Sequence, residues 1–580
     1  MSLLASLVRA YDRLKDAPPY GFSSEKIGFC VVLNPDGTVA EVIDLRDTDK
    51  KRSPRMLLVP QAVKRTVGIA PNFLWDKSAY VLGVTAGEGK RTAEEHARFR
   101  ERHAEWLAGT EDAGMLAFLR FLESWTPDAF TPPVWLDDLR DQNIVFALAD
   151  EYRDRYLHDR PAARALWRRL GTEGASDPQI CLVTGDAAPI ARLHPSLKGV
   201  WGAQSSGASL VSFNLDAFTS YGHDQGDNAP VSEAAAFAYT TALNRYLEKD
   251  SGHRIQIGDA STVFWADCAD MKLAEEAEFL FGGYMDPAAD DKAATSKVGI
   301  QLERIRQGQN LSQVAPALAQ GVRFHVLGLA PNAARLSVRF WWDSDFGALT
   351  ANYQRFLSDT ALDPPPRDGW PPLWRYLREL AVLGKSENVP PNLAGDWMRA
   401  ILTGTPYPLT LLSTTLMRIR SDGEINALRA AILKSVLIRN LKQENTPVAL
   451  DPDCKDKGYI LGRLFAIYEE VQRAALGGNV NATIKDKFYG AASASPQKVF
   501  SALNSGSQNH FSKLRKLSPG RAVNLEKLLM SITDLMEPGQ VPIPPSLSTA
   551  EQALFGIGYY HQRSDFFRKQ SEPAVTEATQ

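Results

Sequence analysis

LDPPPRDGWPP, residues 362–372, holds five prolines in eleven positions. Proline fixes φ and removes an amide donor, so such a run is stiff, extended and hostile to helix and sheet alike. The periodicity of the chain changes across it. Upstream, short β-rich runs alternate with helical segments. Downstream, every long segment repeats its apolar residues at helical spacing. The stretch therefore predicts a domain boundary. The fold class predicted around it is α+β: a mixed N-terminal α/β region with β-hairpins, followed by a C-terminal all-α helical bundle.

On the C-terminal side, residues 409–421 (LTLLSTTLMRIRS), 426–441 (NALRAAILKSVLIRNL), 459–477 (YILGRLFAIYEEVQRAALG) and 524–536 (NLEKLLMSITDLM) read as helices of that bundle. On the N-terminal side, ICLVTG (180–185), ASLVSF (208–213), RIQIG (254–258), STVFWA (261–266), RFHVLGLA (323–330) and ARLSVRFWW (334–342) read as strands. Nearer the start, KIGFCVVL and TVAEVIDL flank Asn34-Pro35-Asp36-Gly37, a hairpin signal. Tyr80, Val81, Leu82 and Val84 suggest a further strand, and Thr92–Leu107 a helix. Leu3, Leu4, Leu7, Val8, Tyr11 and Leu14 recur as one face of a short amphipathic helix. At about 100–200 residues per domain, 580 residues suggest three or four domains. The expected division is 1–140, 141–361, the 362–372 linker and 373–580, with 570–580 a disordered tail.

Composition narrows the function classes. Net charge is −3, so the chain is no polycation, and any nucleic-acid contact must come from local basic patches. The four cysteines, Cys30, Cys181, Cys268 and Cys454, are isolated. That pattern argues against a zinc site or a disulfide framework and predicts a reducing, cytoplasmic setting. The first helix is too charged for a signal peptide, and no run of about 18 apolar residues predicts a membrane span.

The candidate chemistry is sparse. Adjacent His223 and Asp224 could share a metal in a metal-dependent nuclease, but such sites need further ligands, and a polar loop is the plainer reading. His96 and His103 share a helical face without a ligand-rich partner motif. The glycine loop VTAGEGKRT (84–92) fails as a nucleotide-hydrolase loop, because five residues, not four, separate Gly83 from Gly89 and Arg91 follows Lys90. It can still meet a phosphate backbone through amides and charge, or be a surface turn. Ser205, Ser206, Ser209 and Ser212 lie in no GxSxG motif. No metal, cofactor or catalytic residue is therefore expected.

Charge placement is more informative. Three windows carry bases and no acid: 50–65 with six basic residues, 304–342 with five arginines, and 487–525 with six basic residues. Phosphate contacts favour such segregation, because each neutralised phosphate releases counterions. A solvated basic face is the alternative for any one window.

Several blocks in order then carry a family resemblance: APNFLWDKSAYVLG (70–83), GAQSSGASLVSFNLDAFTSYGHDQGDNAPVSEAAAFAYTTALN (202–244), TVFWA (262–266), FHVLGLAPNAARLSVRFW (324–341), YILGRLFAIYEEVQRAA (459–475) and EQALFGIGYYHQR (551–563). Across essentially its whole length the chain resembles the large subunit of the type I-C CRISPR interference complex, Cascade. The resemblance implies a non-catalytic member of a crRNA-guided assembly. That member recognises the protospacer-adjacent motif (PAM) on double-stranded DNA through its N-terminal domain, promotes unwinding and R-loop formation, and helps recruit a helicase-nuclease. The implied partners are the backbone, crRNA-processing and small subunits. The C-terminal bundle is implied to resemble the small subunit and to be made also from an internal start, at Met417 or near residue 450.

Within that family, side-chain chemistry nominates Asn72, Lys77, Lys90 and Arg91 for PAM reading, with Gln204, Ser205 and Asn228 as secondary candidates. Phe73, Leu74 and Trp75 read as core. The GAQSSGAS block is either a recognition surface or a set of turn and capping residues. Lys50, Lys51, Arg52, Lys64, Arg65, Lys498, Lys513, Arg515 and Lys516 are the expected DNA-backbone contacts.

Overall fold

A computed structural model describes residues 2–15, 17–48, 52–63, 65, 68–172, 178–285, 297–367, 369–477, 482–536 and 541–568. The chain divides into two compact units. One comprises 2–195 and 211–242; the other comprises 196–210 and the chain from 243 onward.

The first unit begins with α1 (Leu3–Arg13), as the apolar spacing predicts. Strands β1 (Phe22–Ile27), β2 (Phe29–Leu33), β3 (Val39–Asp44), β4 (Arg55–Pro60) and β5 (Trp75–Lys77) follow, then α2 (Ser78–Val81), α3 (Thr92–Trp106), α4 (Ala113–Ser124), β6 (Asn143–Leu148) and α5 (Pro161–Thr172). The predicted hairpin is β2–β3, antiparallel, closed by Gly37 N–H donating to the Asn34 carbonyl. The sheet order is β3-β2-β6-β5, with β2 and β6 parallel. All five residues of β2 are buried because both faces are covered. Phe29, Val31 and Leu33 join Phe99, Phe118 and Phe121 of the helices, whereas Cys30 and Val32 join Ile27 and Val59 of the β1–β4 ribbon.

Three expected strands are corrected. Residues 78–81 form helix, not strand: the Ser78 hydroxyl donates to the Val84 carbonyl at 2.8 Å, closing the turn that a strand would have opened. Segment 180–185 also departs from expectation. It contributes only the two-residue strand β7 (Gln179–Ile180), paired with β8 (Ala187–Ala188). Segment 208–213 forms only isolated bridges.

The second unit takes up the chain within α6 (Glu233–Leu247). It contains β9 (Arg254–Ile257), β10 (Ala260–Asp267), α7 (Met271–Met285), α8 (Lys297–Arg306), α9 (Leu311–Val314), β11 (Arg323–Asn332) and β12 (Arg335–Asp345), with the sheet an antiparallel β9-β10-β11-β12 meander. Phe264, Phe281, Phe324 and Phe346 pack ring against tilted ring in its core. After α10 (Phe346–Thr360) the described chain is helical: α11 (Leu373–Glu379), α12 (Pro391–Thr403), α13 (Leu409–Asp422), α14 (Ala427–Leu441), α15 (Lys457–Leu476), α16 (Ile484–Ala494), α17 (Gln497–Leu517), α18 (Pro519–Thr533) and α19 (Thr549–Asp565). The proline-rich segment begins on buried Leu362 and runs into buried Leu373. Both belong to the apolar cluster that also contains Phe264 and Phe465. The expected tail at 570–580 lies outside the described residues.

The tightest packing in the helical part is α15 against α19. Gly458 and Gly462 face the Glu551 and Phe555 carbonyls, and Gly558 faces the Tyr459 carbonyl; none of the three sites has room for a Cβ. Beside this seam the Tyr459 hydroxyl meets His561 Nδ1 at 3.0 Å, and Arg463 Nε donates to Gln562 Oε1 at 3.1 Å. Gly462→Ala is expected to cost about 3 kcal/mol or more through overpacking. Gly506→Ala, where an added Cβ meets nothing, should stabilise by about 0.5–1 kcal/mol. Urea midpoints of the two variants measure the contrast.

Candidate nucleic-acid interface

Residues 72–77 are organised by one buried carboxylate. Asp76 is 1% exposed and accepts from three directions. The Asn72 N–H reaches Oδ2 at 2.9 Å, its neighbour Lys77 N–H reaches Oδ1 at 2.8 Å, and Arg65 Nη2 completes an ion pair on Oδ2. Arg65 also donates from Nε to the Ala70 carbonyl at 2.7 Å and lies 4.1 Å over the Tyr80 ring. Burial pushes the Asp76 carboxyl above the usual carboxylate range, and the Arg65 charge opposes that rise.

This node accounts for two of the nominated residues. Asn72 is buried, and its side-chain oxygen accepts from the Val63 N–H at 2.9 Å. Its amide therefore serves the loop rather than facing solvent. The Arg65 guanidinium is committed to Asp76 in the same way. Phe73, Leu74 and Trp75 are core, as expected. Leu74 is held at φ 61 by His103, whose Nε2 accepts its N–H at 2.9 Å while Nδ1 donates to the Phe99 carbonyl at 2.8 Å. With both ring nitrogens so used, His103 is neutral, and burial pushes its pKa down to about 3.

The exposed cations stand around this frame. Lys77 ends β5 with its side chain in solvent. The Ser78 hydroxyl, next in the chain, holds the Val84 carbonyl and accepts the Asp141 N–H, each at 2.8 Å, so the glycine loop starts at the same corner. In that loop Gly83 and Gly89 take positive φ, Lys90 is exposed beside equally exposed Glu88 at 3.4 Å, and Arg91 caps α3 with no side-chain capping bond. An ion pair that exposed is screened and holds its partners weakly.

Asn228 braces its own loop, donating to the carbonyls of His223 at 3.2 Å and Gln225 at 3.0 Å. Arg52 pairs with Asp138. Gln204 and Ser205, exposed in the 204–207 turn, belong to the other compact unit. Lys50, Lys51 and Lys64 lie outside the described residues. His223 and Asp224 are exposed, and among the described residues no group of three or more His, Cys, Asp or Glu could hold a metal ion. Nor is any described helix long and apolar enough to cross a membrane.

The three basic windows separate once folded. In 304–342, Arg323 pairs with Asp343 at 2.7 Å, Arg339 with Asp259 at 2.6 Å, and Arg306 donates to the Gly283 carbonyl at 2.8 Å. Asp343, just past the window, and Asp259, far upstream in sequence, pair with two of its arginines in space. The 487–525 window keeps its face. In α17, Phe500, Leu503, Ser507, Phe511 and Leu514 point inward, and Lys498, Lys513 and Lys516 point outward among Ser501, Ser505, Gln508, Asn509 and Ser512. No acid lies anywhere on α17. Two arginines of the window are paired, Arg515 with Glu526 of α18 and Arg521 with Glu470 of α15. Lys527 of α18 is likewise exposed, just beyond the acid-free window.

Comparison with known proteins then decides the family. The sequence matches the family described as CRISPR-associated protein (Cas_Csd1) over residues 7–567. The chain belongs to that family. The match spans nearly the whole chain and agrees with the resemblance to the type I-C Cascade large subunit. A search of curated proteins gave no match.

Two measurements probe the frame. Arg65→Ala leaves a buried carboxylate without its counter-charge and is expected to cost about 3–5 kcal/mol in equilibrium unfolding. The His103 pKa is depressed on folding, so below about pH 6.5 the unfolded chain binds a proton that the folded chain resists. Stability is complete above that pH and declines toward pH 3, by at most about 1.4 kcal/mol per unit for this group. His194, pushed down to about 4 by burial, acts in the same direction. Unfolding midpoints at pH 7.5 and 5 give the slope, and His103→Gln should reduce it.

Proposed function

We propose that this chain is the DNA-reading subunit of a Cascade-type, crRNA-guided complex. In this reading it engages a PAM on duplex DNA, helps part the strands for the guide, supports the R-loop and assists recruitment of a helicase-nuclease, breaking no bond itself. Family membership carries the CRISPR role. The structural observation that supports DNA contact is the outer face of α17, where lysines and small neutral side chains run without an acid through 21 residues.

In RNA-guided recognition, base pairing reads most of the sequence, and the protein needs only a short duplex reader and basic tracks. Lys77, Lys90 and Arg91 suit the duplex reader. They are exposed cations on a corner fixed by Ser78, with a glycine loop whose backbone can come close to DNA. Asn72 and Arg65 would act indirectly, by holding that corner. Lys498, Lys513 and Lys516 suit a basic track, following a strand through its phosphates. Gln204 and Ser205 offer neutral donors and acceptors.

Each of Lys498→Ala, Lys513→Ala and Lys516→Ala should weaken DNA binding for every sequence alike. Each should also reduce the slope of log affinity against log salt by about 0.9 on a duplex or 0.7 on a single strand. The pair Lys90→Ala and Arg91→Ala, screened against a randomised PAM library in the assembled complex, should flatten the preference. Unchanged slopes and an unchanged library profile together would overturn the assignment. Metal-dependent DNA cleavage by the purified chain, lost on changing His223, would overturn the non-catalytic reading.

A further inference from the structure

The loop between Phe213 and Asn228 carries an aromatic ring in a place the fold does not use. His223 N–H donates to the Ser220 carbonyl at 2.8 Å, and the two residues form an antiparallel bridge. Tyr221 and Gly222 between them have φ 51 and 79. Two successive left-handed residues make the tightest hairpin turn, which Asn-Gly normally fills and in which a bulky aromatic is an outlier. Tyr221 is 100% exposed, so no packing compensates that conformation. Local rules broken without gain to the fold point to function.

The base of the loop is clamped. Asn228 bonds the carbonyls of His223 and Gln225, Gly226 N–H donates to the Arg192 carbonyl at 3.1 Å, and no Cβ would fit between Gly226 and the Ala191 carbonyl. The ring therefore stands on a rigid arm. The loop's own sequence is acidic, while exposed Arg192 lies at its base. Residues 214–228 contain Asp216, Asp224 and Asp227 and no lysine or arginine. All three are exposed, and no cation pairs with them among the described residues. Leu215 adds exposed apolar surface. A phosphate backbone would meet three carboxylates here. A basic protein would meet complementary charge and an aromatic anchor.

We propose that Tyr221 is the anchor of a protein-docking site whose partner presents an apolar socket rimmed by lysine or arginine, within the assembly to which this chain is assigned. A rigid aromatic entering a pocket supplies the energy, cation–π contact with a rim arginine adds to it, and the aspartates set orientation and encounter rate. The site rests on the Cascade reading for the setting of its partner, but its geometry is independent of the DNA contacts.

The test uses the full chain and the other purified protein subunits of its CRISPR assembly, with affinity measured at low and physiological salt. Tyr221→Ala should weaken assembly about 30-fold or more, the loss typical of an interface anchor. Tyr221→Phe should retain most of the affinity, and Asp216→Asn with Asp224→Asn should slow association and flatten its salt dependence. Tyr221→Gly should lose assembly while unfolding at the wild-type midpoint or above it, because it relieves the turn. Wild-type assembly unaffected by Tyr221→Ala overturns the docking site alone. Intact assembly with weakened DNA binding assigns the ring to nucleic acid instead. A wild-type chain that binds none of these subunits overturns the Cascade reading and the site with it.

Discussion

A buried carboxylate cannot stay charged without partners, and Asp76 shapes its surroundings accordingly. Isolated, it would be expelled or neutralised. Here it collects two backbone amides and the Arg65 guanidinium, and in doing so ties Arg65 to the chain from 72 to 77. The end of β5, the start of α2 and, through Ser78, the root of the glycine loop all follow from it. Exposed cations of this unit are thus placed by the buried Asp76 and Ser78.

The basic windows show what linear charge patterning can and cannot say. Absence of acid within a window says nothing about acid arriving from the next strand. Antiparallel pairing brings Asp343 of β12 to Arg323 of β11, and Asp259 in the β9–β10 turn reaches Arg339. A helix behaves differently. On α17 the outward positions face solvent, and only Arg515, near the end beside α18, finds a carboxylate. A basic run is thus a better guide to a surface when it has helical period than when it has strand period.

Much of the fold was legible because it rests on periodicity. The β2–β3 hairpin, β9 to β12, α3 and the C-terminal helices follow from apolar spacing and turn residues. The 78–81 helix was not legible, because what ends the strand is one serine hydroxyl binding a carbonyl six residues on. In the candidate site, Lys77, Lys90, Arg91 and the lysines of α17 are exposed as nucleic-acid contacts require. Asn72, Arg65 and Asn228 share that chemistry but serve nearby backbone, and only three-dimensional partners separate the two kinds. Tyr221 had a faint signal: Tyr-Gly between Ser220 and His223 occupies a turn slot where Asn-Gly is the usual pair.

The glycine-lined seam between α15 and α19 also bears on how the molecule is made. Its two sides are about ninety residues apart in sequence, so local contacts cannot pre-form it. On a ribosome, α15 emerges with an empty groove of glycines and with Arg463 lacking its glutamine. That groove stays open until residues 549–565 clear the exit tunnel, which makes α19 the bolt that shuts the bundle well after α15 has been made.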